Sequence, residues 1–100
     1  MIIGIPKEIK PQENRVGLTA NSVKSLVDDG HEVIIETNAG NGSGFQDSDY
    51  LEAGGKIIDT AKEIFEHAEM IVKVKEPQSQ EVNLLKKGQN LFTYLHLAAD

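Results

Sequence analysis

Cysteine and tryptophan are both missing from this 100-residue chain, and its aromatic side chains are only two tyrosines and three phenylalanines. Without cysteine there are no disulfides, thiolate metal sites or thiol nucleophile, and a reducing cytosol is the economical setting. No long apolar run occurs either. The opening segment MIIGIPKEIKPQEN is interrupted by Pro6 and by charged residues, too early for a signal-peptide core or a membrane span. The expectation is a soluble, cytoplasmic protein with no membrane partner. A basic stretch is lacking as well: ten Lys and Arg are scattered among sixteen acids, for a net charge of −6. Phosphate-backbone binding needs clustered cations, so no nucleic-acid role is expected. Metal-ligand spacings are missing, because His31, His67 and His96 share neither a helical turn nor a strand. No serine occupies a nucleophile elbow, and no repeat, linker or low-complexity stretch interrupts the chain.

What is present is an alternation of short apolar runs with helical patterns, the signature of βαβ units. The length allows one domain with a real core. Strands are predicted over residues 2–6, 32–36, 56–58, 70–75 and 90–95. Helices are predicted over 20–29, 48–53, 61–67 and 80–86. Thr19 is the expected N-cap of the first helix and Gly30 its stop; Asp47 caps the second, and Thr60 with Glu63 forms a capping box for the third. Val82 and Leu85 are the expected apolar face of the fourth, which Gly88 ends. The fold class is α/β, an open, mostly parallel sheet in a Rossmann-like or flavodoxin-like arrangement, present in part. The ending LHLAAD, close behind a strand, suggests a segment of a longer protein.

Ligands of open α/β sheets bind beyond the carboxyl ends of the strands, so polar residues just past an apolar run matter most. Three stand out. Arg15 lies in the connection 7–18, far longer than an ordinary βα loop, where a guanidinium can grip a carboxylate through two parallel hydrogen bonds. The alternative for it is a surface ion pair with Glu8 or Glu13. Lys75 ends MIVKVK, and Pro77 turns the chain out at the rim. Its ammonium can hold a carboxylate or polarise a carbonyl oxygen. Lys73 shares the face of Lys75 under the two-residue period, so one of the two is expected to be merely solvated or paired. His96 follows FTYL among apolar neighbours, which disfavour the imidazolium and leave a base able to take a proton near neutral pH. Its alternative is a histidine bonded to backbone at a strand end. Together the three describe a site for a small carboxylate.

The loop Asn38-Ala-Gly-Asn-Gly-Ser-Gly-Phe45 follows a strand and precedes a helix, yet Gly40, Gly42 and Gly44 do not have the spacing of the dinucleotide fingerprint. It reads as a set of turns with positive φ. Asp28–Asp29, and Asp47 with Asp49, fall at helix ends, where capping and turn roles suffice.

On these residues the chain resembles the N-terminal part of the alanine dehydrogenase and pyridine nucleotide transhydrogenase family. The matching blocks, in order, are IGIPKEIKPQENRVGLT, GHEVIIETNAGNGSGF, AEMIVKVKEP and LFTYLHLAA. The resemblance is to alanine dehydrogenases in particular, and implies reversible oxidative deamination of L-alanine to pyruvate and ammonia with hydride transfer to NAD. It implies that Arg15 and Lys75 bind the substrate's carboxylate and carbonyl, and that His96 is the catalytic acid/base. It also implies that residues 1–100 are a substrate-binding segment with no cofactor-binding residues. The NAD-binding Rossmann domain and a C-terminal return segment are expected elsewhere, and the intact enzyme is expected to be a homohexamer. Two other readings remain: a nucleotide transhydrogenase α-subunit domain, and a stand-alone carboxylate-binding module without chemistry.

Overall fold

A computed structural model of the protein describes residues 1–9, 15–75 and 77–93. Five strands form one sheet: β1 (Ile2–Ile5), β2 (Glu32–Glu36), β3 (Lys56–Ile58), β4 (Met70–Lys73) and β5 (Asn90–Thr93), in the spatial order β3-β2-β1-β4-β5. Every pairing is parallel. Between them run α1 (Ala20–Asp28), α2 (Asp47–Glu52), α3 (Ala61–His67) and the short α4 (Ser79–Val82).

The period of two along each strand sends alternate side chains to opposite faces, and both faces are apolar, as a sheet covered on both sides requires. Ile3, Ile5, Val33, Ile35 and Val72 pack with Val23 of α1 and Tyr50 of α2. Ile34 and Ile71 pack with Ile64 and Phe65 of α3 on the other face. Each such fully buried side chain contributes about 1.5–3 kcal/mol relative to exposure. Gly4 is the point of closest approach: a Cβ there would lie 2.7 Å from the Ala68 Cβ and 2.8 Å from Ile64 Cγ2. Only glycine lets α3 settle this near to β1.

The helix signals act locally as expected at both ends of α1, and α3 forms only half of its expected capping box, because Glu63 Oε1 accepts from the Thr60 hydroxyl at 3.1 Å instead of from the Thr60 backbone N–H. Thr19 Oγ1 accepts from Ser22 N, and Gly30, at φ 97°, lets the chain turn away after α1. Thr60 Oγ1 likewise accepts from Glu63 N at the start of α3. The cap of α2 differs from expectation. Gln46 is the cap residue, its backbone N–H donating to Asp49 Oδ2 at 2.8 Å. Asp47 instead accepts from the Thr37 hydroxyl at 2.6 Å and from Asn38 N at 2.9 Å, tying α2 to the end of β2. The fourth helix is four residues long rather than seven, and Val82 is exposed, leaving Leu84 and Leu85 to meet the core.

The strand order reverses between β1 and β4, so their seam is the topological switch point. Pairing between β1 and β4 holds at Ile3↔Met70 and Gly4↔Ile71, whereas β1 and β2 stay in register to Ile5↔Ile35. The paired stretch of β1 and β4 is thus short, and beyond its carboxyl end lies the position where a switch-point crevice is expected.

Candidate functional site

Two loops border that position. One follows β1 and carries Lys7, Glu8 and Arg15; the other follows β4 and carries Val74 and Lys75. The first is anchored to the sheet and to α2 at three consecutive residues. Val16 is buried in the α1-side core, and Gly17 lies so close to β4 that a Cβ would sit 2.5 Å from the Val72 carbonyl oxygen. The carbonyl of Leu18 accepts from the Tyr50 hydroxyl at 2.8 Å. Burial, together with nearby Asp49 and Asp47, pushes the Tyr50 phenol up to about 12, so it remains a donor. Arg15 is exposed at the head of this anchored stretch. It lines a cleft of about 170 Å³ with Lys7, Glu8, Asn38 and Asn41, at the carboxyl ends of β1 and β2.

The second loop begins two residues earlier than the sequence pattern predicts. β4 ends at Lys73, because the N–H groups of Val74 and Lys75 leave the sheet for the Glu8 carboxylate: Val74 N donates to Oε2 at 2.8 Å and Lys75 N to Oε1 at 3.3 Å. The Lys73 ammonium donates to the same Oε1 at 3.1 Å and has Glu81 Oε2 at 3.2 Å. All three charged side chains are almost fully buried. Glu81 Oε1 accepts from Gln78 N at 2.9 Å, whereas Oε2 accepts no hydrogen bond among the described residues and has the ammonium only as an ionic neighbour. Lys73 is therefore the paired member of the Lys73–Lys75 couple. Lys75 is half-buried at the head of the loop.

Glu36, at the end of β2, completes the polar floor by accepting from Lys7 N at 2.8 Å. Burial raises its carboxyl above the ordinary value, and the Lys7 N–H and charge oppose that rise only in part.

Arg15 and Lys75 thus arise from adjoining loops on the two sides of the switch point, joined through Glu8, which lines the arginine's cleft and binds the lysine's backbone. His96 lies outside the described residues, as do Tyr94 and Leu95 of the expected fifth strand. Lys7 and Glu8 were not legible as site residues in sequence, where PKE resembles an ordinary polar turn. One signal was available for Glu8: a lysine inside the run MIVKV needs a buried counter-charge.

The glycine loop does not form the set of positive-φ turns expected of it. Gly44 (87°) and Asn38 (67°) have that conformation, whereas Gly40 has φ −95° and is a packing glycine, with Phe45 and Tyr50 atoms 2.8 Å from where its Cβ would be. A larger hollow of about 410 Å³ beside this loop is lined by Asn38, Gln46 and Asp47 and has no cation. The α2 N-terminus carries Asp47 and Asp49, and the Asp49 carboxylate already holds the Gln46 N–H. These described residues do not fit a dinucleotide pyrophosphate.

An all-parallel sheet of this order, with cationic loops beside its switch point, defines an open, doubly wound α/β domain. The chain belongs to the family described as Alanine dehydrogenase/PNT, N-terminal domain, whose model matches residues 4–100. It is 56% identical over 100 residues to the alanine dehydrogenase of Methanococcus maripaludis, covering all of this chain and 27% of that protein. With the alanine dehydrogenase of Bacillus subtilis the identity is 54%, over all of this chain and 26% of the relative. A solved structure of L-alanine dehydrogenase superposes with a TM-score of 0.92 at 57% identity, over 99% of this chain and 27% of the other. Transhydrogenase from Sinorhizobium meliloti gives 0.88 at 33% identity, over 95% of this chain and 27% of that one. The chain spans about a quarter of the length of the curated relatives it matches.

Proposed function

We propose that this chain is the substrate-binding portion of an NAD-dependent L-alanine dehydrogenase, which interconverts L-alanine with pyruvate and ammonia. The observation that carries the reading is the pair of loops at the switch point, one bearing Arg15 and the other Lys75, in a chain 54–57% identical to alanine dehydrogenases. The greater identity to these relatives than to the transhydrogenase favours alanine chemistry over the transhydrogenase alternative.

In this reading the Arg15 guanidinium takes the substrate carboxylate through paired charge-assisted hydrogen bonds and fixes its orientation. The Lys75 ammonium faces the carbonyl oxygen of pyruvate, where negative charge grows as ammonia adds, and is worth more there than in water. His96 shuttles the proton as the carbinolamine forms and loses water. NAD is held mainly by parts of the intact protein outside this chain, which spans about a quarter of the length of its relatives. The intact enzyme is a cytoplasmic hexamer in this proposal.

The test is steady-state kinetics on the full-length protein, following NADH with alanine and with pyruvate plus ammonium. Arg15→Ala and Lys75→Ala raise the KM for pyruvate, and His96→Ala chiefly lowers kcat. Full turnover by His96→Ala removes the catalytic assignment, and NADH exchange without any alanine turnover favours the transhydrogenase.

A further inference from the structure

We propose that Glu8 is a positioning residue for Lys75, a role that rests on the substrate-binding reading of Lys75. β4 pairs with β1 as far as Ile71 and ends at Lys73, so the Val74 and Lys75 N–H groups enter the rim beyond the ladder. The Glu8 carboxylate supplies both acceptors, Oε2 to Val74 and Oε1 to Lys75. Two successive N–H groups held by one carboxylate fix the backbone at residues 74 and 75, and with it the direction in which the Lys75 side chain leaves the sheet. The same Oε1 takes the Lys73 ammonium, which holds the carboxylate charged and stationary.

A carboxylate is needed here, since its two oxygens accept on every side, whereas an amide would turn an NH₂ toward Val74, Lys75 or Lys73, each a donor. Neutralising Lys73 does not by itself explain Glu8, because Glu81 lies at nearly the same distance from that ammonium. Glu81 spends its other oxygen on Gln78 N. The two acids are thus similarly buried and lie at similar distances from the Lys73 ammonium, although only Glu8 accepts a hydrogen bond from it, and of the two Glu8 alone bonds the Lys75 backbone. Glu8 also belongs to the loop that carries Arg15 and lines its cleft, so one side chain registers both loops.

The experiment uses the full-length protein with Glu8→Asp, Glu8→Gln, Glu81→Asp, Lys75→Ala and the double variant Glu8→Asp/Lys75→Ala, each first shown to melt cooperatively. Pulling the carboxylate back by one methylene raises the KM for pyruvate about tenfold, and kcat and the KM for NADH change by less than about threefold, as expected for a displaced binding group. Glu81→Asp leaves the KM for pyruvate within about twofold, and Glu8→Asp adds nothing in the Lys75→Ala background, where the two effects would multiply if they were independent. Backbone amide exchange supplies the second readout. Val74 and Lys75 amides are protected in the wild-type protein and exchange faster in Glu8→Asp or Glu8→Gln, but not in Glu81→Asp. Fast exchange in wild type, an unchanged KM in Glu8→Asp, equal effects of the two aspartates or multiplicative effects with Lys75→Ala each overturn the proposal. A wild-type protein inactive on alanine and pyruvate overturns the functional reading instead, and amide exchange then still decides whether Glu8 clamps the loop.

Discussion

Replacing Lys73 by methionine isolates the electrostatics beneath the rim. The ammonium and the two carboxylates it touches have side-chain exposures of 1–3%, so none of the three charges can turn to water. Methionine has a similar unbranched stem, and the packing of the lysine's methylenes against the core is largely kept. What is lost is the one cation between Glu8 and Glu81, leaving two buried carboxylates facing a hole. Removing one partner of a buried ion pair costs about 3–5 kcal/mol, and the upper half of that range applies because two acids are uncompensated rather than one. A second change should work in the opposite direction. Glu81→Gln keeps an acceptor for the Gln78 N–H and abolishes one of the two stranded charges, whereas Glu8 still has the Val74 and Lys75 amides. Lys73→Met/Glu81→Gln should therefore regain about 1–2 kcal/mol over Lys73→Met alone. Urea denaturation followed by circular dichroism, with slopes compared to ensure the same transition, reads both values. A Lys73→Met protein within about 1 kcal/mol of wild type, or a double variant less stable than the single one, refutes the reasoning.

Gly17→Ala forces a methyl against the Val72 carbonyl, which belongs to the strand backbone and cannot swing aside; the expected cost is about 1–3 kcal/mol in thermal or urea stability. It should also raise the KM for pyruvate by displacing Arg15, and an unchanged KM would separate that residue from the loop anchor. Tyr50 gives a pH signature of defined sign. Its folded-state value of about 12 lies above the ordinary 10, so the native state keeps a proton that the unfolded chain releases. The associated stability is intact below pH 10 and is lost as pH rises through 12, up to about 2–3 kcal/mol. Tyr50→Phe should remove that slope, at the cost of the Leu18 hydrogen bond; identical alkaline profiles for the two proteins would contradict it.

How far the sequence could be read depended on whether the governing interactions were local. The βα alternation and the caps Thr19 and Thr60 lie within a few residues of the positions they control, and their signals were legible. The choice between the Rossmann-like and flavodoxin-like strand orders was not, because it depends on β1 pairing with β4, far along the chain, as well as with β2. The end of β4 was overestimated for a specific reason. The alternation Val72, Lys73, Val74, Lys75 continues unbroken, whereas the Val74 N–H turns to the Glu8 side chain, 66 residues away. The cap of α2 went to Gln46 because tertiary contacts recruited Asp47 to the Thr37–Asn38 turn. Within the candidate site, the rim positions of Arg15 and Lys75 could be read from their place relative to strand ends. The buried acids could not, since Glu8 and Glu81 occur in stretches otherwise typical of surface.

The two margins of the sheet are finished differently. β3 is only three residues long and carries Lys56, which reaches Glu32 on the neighbouring strand, so that margin is short and charged. β5 has no charged residue, and Leu91 and Phe92, which point to opposite faces, are 42% and 52% exposed. Such a border invites further strands and apolar cover from any chain that meets it. At high concentration these 100 residues should cling to one another along β5, which sedimentation would read as a mass that rises with concentration.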